Sequence, residues 1–170
     1  NFPKDTKLDK IKFDFSLKEG SLINQPFNDL RVDAFYENGA ISIDTLSLIY
    51  EDKSSFFISG NIPYPFDLLK PQQAKLVSIY KNIDLSFLSN ISNDYLSRIK
   101  GQFTGSFNIS GITSKTEYNL DGQIDNAYWG RLPLGTVAGN GFYKNKKLTF
   151  ENFSSSNGKN RLTGNAKIPV

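Results

Sequence analysis

Gly101-Gln102-Phe103-Thr104-Gly105-Ser106-Phe107-Asn108-Ile109-Ser110-Gly111 alternates without a break. Phe103, Phe107 and Ile109 fall on one side together with Gly101, Gly105 and Gly111, while Gln102, Thr104, Ser106, Asn108 and Ser110 fall on the other. Period two is the mark of a strand with one dry and one wet face. Glycine alternating with Phe inside such a strand marks bending or the close approach of another backbone, and glycines relieve the crowding that curvature creates on a concave side. The stretch therefore predicts a curved sheet. Gly122, Gly139 and Gly141 continue the habit downstream.

The same alternation recurs along the chain, and it recurs in register. Residues 11–47 can be laid over 118–154 without a gap, at an offset of 107. Ile11, Phe13, Phe15 and Leu17 alternate with Lys12, Asp14, Ser16 and Lys18 as Tyr118, Leu120 and Ile124 alternate with Asn119, Asp121 and Gln123. Pro26 falls on Pro133, Phe35-Tyr36 on Phe142-Tyr143, Asn38 on Asn145, and Ile41, Ile43 and Leu46 on Leu148, Phe150 and Phe153. Each copy closes on a similar phrase, Ile58-Ser59-Gly60-Asn61-Ile62-Pro63 against Leu162-Thr163-Gly164-Asn165-Ala166-Lys167-Ile168-Pro169. A repeat of strands predicts an extended β architecture rather than a closed globule.

Strands are predicted at about 8–18, 29–37, 40–50, 55–62, 75–87, 101–110, 116–125, 134–143, 147–154 and 160–168, separated by Gly, Asn, Ser and Lys clusters. Asn38-Gly39 accepts positive φ in a tight hairpin, and Lys144-Asn145-Lys146 holds the equivalent place, so consecutive strands should form an antiparallel meander. One short helical turn is predicted near 92–100, capped by Asn93 or Asp94 and holding Tyr95, Leu96 and Ile99. The segment 64–75, with Pro65 and Pro71 around Phe66, Leu68 and Leu69, reads as a connector dividing two β-repeats, 1–70 and 71–170. Its prolines are too irregular for a polyproline ligand.

The 170 residues are 38% hydrophobic and 14% aromatic, which argues against intrinsic disorder. Cysteine and histidine are both absent, which removes thiolate nucleophiles, disulfides, imidazole bases and the usual zinc sites. Methionine is absent too, so the segment reads as a piece of something longer, with any membrane anchor outside it. No apolar run approaches the ~20 residues of a helical bilayer span. The net charge of +3 is spread along the polar strand faces, as at Lys10, Lys12, Asp14, Lys18 and Glu19, which favours a solvated face over a nucleic-acid patch. Asn-Xaa-Ser triplets at Asn90, Asn108 and Asn152 arise easily by chance in an Asn- and Ser-rich sequence.

No constellation for catalysis is found. The glycines of 101–111 lack a strand-to-helix setting and no Gly-Lys-Ser/Thr follows, so they form no nucleotide loop. Asp121 and Asp125 share a strand face but lie ~13 Å apart, too far for a glycosidase pair. Tyr128-Trp129 would stack on a sugar or base, or cap a core; the second is favoured. The reading is of a non-enzyme without cofactor or metal.

An ordinary sandwich core is one destination for the dry faces. The other is an open trough, since Phe-rich walls that cannot close over themselves must cover something else. Acyl chains fit such a trough because each buried methylene contributes ~0.8 kcal/mol.

Here the sequence resembles a family. Ile83-Asp84-Leu85-Ser86-Phe87-Leu88, the run Ile99 to Gly111, and Leu120-Asp121-Gly122-Gln123-Ile124 are similar to the repeating unit of TamB and its AsmA-like relatives. So is the ending Leu148-Thr149-Phe150, then Gly158, then Leu162-Thr163-Gly164-Asn165-Ala166. The resemblance covers 76–170 and, more loosely, 8–63; where the family has a proline soon after the Ile109-Ser110-Gly111 turn, Ser114-Lys115 stands. It implies an all-β, elongated, curved antiparallel sheet forming an open hydrophobic trough, a β-taco. It also implies a parent protein in the envelope of a diderm bacterium, or in a plastid intermembrane space, anchored in the inner membrane and reaching through the periplasm. The trough would carry phospholipid acyl chains toward the outer membrane, beside an outer-membrane barrel of the assembly type. The lipid-contacting wall expected on this basis is Phe13, Phe15, Ile43, Ile58, Phe87, Phe103, Phe107, Ile109, Leu120, Ile124 and Phe150. A competing expectation is a scaffold for outer-membrane protein assembly that offers a strand edge to a client by β-augmentation. A third is a β-sandwich spacer without ligand. Raw sheet edges would also let the segment pair with itself.

Overall fold

Alternating strands that each need a partner for their backbone groups, joined by turns too short for a crossover, can only be laid side by side. The computed structural model describes residues 10–22, 25–50, 54–64, 72–87, 98–112, 115–144 and 147–169, without the side chains of Phe87, Ile168 and Pro169. They form β1 (Ile11–Leu22), β2 (Gln25–Glu37), β3 (Ala40–Tyr50), β4 (Ser55–Pro63), β5 (Gln73–Asp84), β6 (Ile99–Ile112), β7 (Lys115–Trp129), β8 (Leu132–Lys144), β9 (Lys147–Asn157) and β10 (Asn160–Pro169). All ten lie in one antiparallel sheet in the order of the chain, curled but not closed. The meander expected from the turns is therefore present, and the two-layered sandwich is not. Strands touch their sheet neighbours, and no second layer covers either face among the described residues.

The internal repeat is visible in the strand ends. At the offset of 107, β2 and β3 map onto β8 and β9 with both boundaries coincident, and Leu22 at the end of β1 maps onto Trp129 at the end of β7. Pro26 and Pro133 each stand second in their strand, near an end where a missing N–H costs little. The β2–β3 hairpin turns on Asn38 (φ 52°) and Gly39 (φ 76°), the pair of positive φ values that matches the twist of the flanking strands. Asn145 and Lys146 lie outside the described residues, although Lys144 and Lys147 pair beside them.

Several strands run longer than the sequence reading, β1 to Leu22, β2 from Gln25 and β7 to Trp129 among them, and the boundaries of β5 and β6 differ in kind. β5 starts at Gln73, inside the expected connector, of which 65–71 lie outside the described residues. It ends at Asp84, where the Asp84 carboxylate accepts the Ser86 N–H (2.8 Å) and turns the chain into a single 3-10 turn, Leu85–Phe87. Most of the helical turn expected near 92–100 also lies outside the described residues, but Ile99 and Lys100 belong to β6 and not to a helix.

Curling has a local cause. β3, β5, β7 and β9 each carry one residue more than a neighbour opposes, between Ile43 and Leu46, Tyr80 and Ile83, Ile124 and Ala127, and Phe150 and Phe153. Such bulges bend a strand and increase its twist. Asn82, Asn126 and Asn152 sit in these steps with φ of 51°, 51° and 54°, a conformation that Asn tolerates better than other side-chain-bearing residues. At two of these bulges a side chain of the next strand accepts the displaced backbone N–H. Asn82 N–H donates to Thr104 Oγ1 (3.0 Å), whose hydroxyl donates back to Asn82 Oδ1 (3.2 Å), and Asn152 N–H donates to Asn165 Oδ1 (2.9 Å).

Little of the apolar surface is buried. Among the described residues only Phe27, Ala34, Leu48 and Ala127 are buried hydrophobics, so stability rests on cross-strand pairs more than on a core. Leu48, opposite Leu30 and Phe56, is fully enclosed. Leu48→Ala is expected to lower the unfolding free energy by about 2–4 kcal/mol in urea titrations, whereas a change below ~1 kcal/mol would mean that the neighbours collapse freely into the space.

Candidate functional site

Residues opposite one another across a strand pair share a face, so the register assigns faces directly. One row runs through all ten strands: Phe15, Val32, Leu46, Ile58, Ser78, Phe107, Leu120, Gly141, Phe150 and Ala166. At ~4.8 Å per strand it is roughly 43 Å long. A second row beside it begins at Phe13 and passes through Ala34, Ile43, Gly60, Leu76, Ile109, Tyr118, Tyr143 and Leu148. Phe103 and Ile124 pair on the same face in a third. Ten of the eleven expected wall residues are thus brought to one surface. The exception is Phe87, which lies in the 3-10 turn with its side chain outside the described residues.

Among the described residues no layer roofs that surface, and parts of it are open. Phe13 and Phe15 are 50% and 52% exposed and Leu120 is 40% exposed, values that a closed core would not leave. The one polar member of the long row, Ser78, is buried and satisfied, its hydroxyl donating to the Phe107 carbonyl at 2.7 Å. Aromatic ladders stiffen the wall across the strands: Phe56 to Tyr80 (6.5 Å between ring centres) to Phe103 (5.8 Å), and Phe107 to Tyr118 (6.1 Å) to Tyr143 (5.7 Å). Each such contact adds ~0.5–1.5 kcal/mol beyond area burial.

Between the ladders the face sinks into a concavity of about 460 Å³ bounded by β6–β9. Its lining includes the paired glycines Gly122 and Gly139, then Gly141, and the side chains of Phe103, Leu120, Ile124, Val137, Phe150 and Phe153. Close approach explains Gly122. A Cβ on Gly122 would fall 2.6 Å from Phe103 Cε2 and 2.7 Å from the Thr104 carbonyl oxygen, because the Phe103 ring leans across the bare backbone of β7. The size falls within the ~300–1,000 Å³ of ligand clefts, and the lining is almost wholly apolar.

The other face is mostly polar, although Ile49, Phe57 and Ile79 also belong to it. Lys12 pairs with Asp33 at 3.7 Å and Asp14 at 3.8 Å, Asp125 accepts from Gln123 (2.8 Å) and Thr136 (3.2 Å), and Asp121 accepts from Asn140. Asp121 and Asp125 therefore serve cross-strand pairing. Phe35, an aromatic on the wet side, is covered by Lys10, whose Nζ stands 4.2 Å from the ring centre. No group of three or more Asp, Glu, His or Cys able to hold a metal occurs among the described residues. No helix among them is long and apolar enough to cross a membrane, which leaves strand-borne spans aside.

Two features escape the sequence reading. Tyr128 and Trp129 do not cap a core: they are 42% and 39% exposed and stand at the β7–β8 turn, at one end of the concavity. Phe153 also lines it, three residues from Phe150, because the bulge at Asn152 skips the alternation by one. The signal was present as the apolar pairs Ile43/Leu46 and Phe150/Phe153, which occupy matching repeat positions at a spacing of three.

The chain matches no protein-family model, no curated protein and no solved structure.

Proposed function

We propose that the chain is a segment of a lipid conduit of the TamB and AsmA-like kind. Phospholipid acyl chains lie in the trough with their headgroups in water, and move along it between the inner and outer membranes of a diderm envelope, or across a plastid intermembrane space. The parent would be anchored in the inner membrane and would work beside an outer-membrane assembly barrel. The reading assigns no catalytic residue and no cofactor. One observation carries it: a largely apolar row that crosses ten strands and is open to water at Phe15, Leu120 and Ala166, with most positions between them only half-buried. A sheet that has to remain in water gains nothing from such a row unless something covers it. Burial of methylenes, ~0.8 kcal/mol each, supplies the affinity without any specific polar contact.

Organic extraction or native mass spectrometry of the purified chain tests the proposal. Co-purified phospholipid in stoichiometric amount is expected; lipid-free protein that also fails to take up phospholipid from vesicles would overturn it.

A second reading rests on the sheet edge. β1 has no partner on its outer side among the described residues, and a client strand added there would be held by main-chain hydrogen bonds. On that reading Ser16→Pro would abolish client capture and Phe103→Asp would not; the conduit reading expects the reverse pattern in lipid occupancy.

A further inference from the structure

At the end of β7 the row Ile99, Trp129 and Leu132 continues the trough face to the rim of the sheet. There it projects: Trp129 is 39% exposed and Leu132 59%, with the adjacent Tyr128 at 42%. The turn is held in place by the Gly130 N–H, which donates to the Arg98 carbonyl at 2.7 Å. Cations frame it. Arg98, Lys100, Arg131, Lys159 and Arg161 stand on the turns and strand ends of this rim, all exposed, and the stretches 98–100, 128–133 and 157–162 contain no carboxylate. The opposite ends of the same strands differ, because Lys144 is there paired with Glu117 at 2.6 Å.

An exposed Trp-Tyr-Leu cluster beside cations that form no ion pair among the described residues has the chemistry of a lipid interface. Amphipathic rings settle at headgroup depth, aliphatic side chains reach the acyl boundary, and Lys and Arg meet anionic headgroups. We propose that the β7–β8 turn docks on an anionic bilayer surface, with Trp129 and Leu132 in the interface and Arg131 and Lys159 on the headgroups. The docking stands on the rim alone; that it delivers acyl chains into the 460 Å³ concavity, whose lining includes Tyr128 and Trp129, rests on the conduit reading.

Trp129 is the single tryptophan of the chain, so its fluorescence reports this site and nothing else. The intact chain is titrated with phosphatidylcholine vesicles with and without phosphatidylglycerol, at low and high salt. A blue shift with anionic vesicles, reversed by salt and quenched by brominated acyl chains, is expected. In Arg131→Gln/Lys159→Gln, which leaves the apolar tip intact, and in Leu132→Ser, partitioning should fall by roughly tenfold or more. No shift with anionic vesicles, an equal and salt-insensitive shift with neutral ones, or undiminished binding by both variants would overturn the proposal. Failure here with phospholipid still extracted from the purified chain leaves the conduit standing without this dock; vesicle docking by a chain that carries and accepts no lipid leaves the dock standing without the conduit.

Discussion

On the conduit reading, Phe107→Asp is expected to abolish phospholipid binding while leaving the sheet folded. Phe107 lies at the middle of the ten-strand row, between Ser78 and Leu120, with its ring stacked near Tyr118. A carboxylate there can be tolerated by the protein, because the face is partly open to water and the ion need not be desolvated until a lipid arrives. The acyl chain has no such escape: to cover the site it must bury the charge or surrender its contacts. Lipid occupancy should fall by at least about tenfold, or ~1.4 kcal/mol. The matched control is Ser106→Asp, one residue away on the wet face and opposite Asp121. It should change occupancy little. Equal lipid loss in both variants would point to a weakened sheet, and no loss in Phe107→Asp would remove the trough from the account.

The ten strands and the shared face of ten wall residues were legible in the sequence because they rest on period two, which a half-buried strand writes directly into its side chains, and the meander because it rests on short turns. The hairpin at Asn38-Gly39 was legible for an equally local reason. What was not legible came from breaks in the period. Phe153 and Ala127 enter the concavity only because bulges at Asn152 and Asn126 advance the strand by one residue. The matched three-residue spacings Ile43/Leu46 and Phe150/Phe153 held that information, but reading it needs the partner strand. Trp129 was misplaced because composition does not distinguish an aromatic that fills a core from one that stands at the rim.

Gly122 should be as sensitive as the wall. Gly122→Ala sets a methyl group against both the Phe103 ring and the Thr104 carbonyl, so the ring has to swing off the β7 backbone or the strands have to part. Overpacking of this kind costs about 1–3 kcal/mol, measurable as an earlier urea midpoint with unchanged slope. Part of the cost belongs to the ring. Phe103→Ala combined with Gly122→Ala should therefore destabilise by less than the two single changes added together, by roughly 0.5 kcal/mol or more. Strict additivity would mean that the ring does not rest on the glycine. Gly122→Leu extends the side chain into the concavity and should also lower lipid occupancy, which Gly158→Ala, in an open turn, should not.

Photocrosslinking along the register tests the central claim most directly. A photoreactive residue is placed in turn at Phe15, Ile58, Phe107, Leu120 and Phe150 of the long row, and at Ser16, Ser59, Ser106 and Asp121 on the reverse face. The account predicts phospholipid adducts at every position of the first set and none above background in the second. Adducts on both faces alike, or on neither, would contradict it.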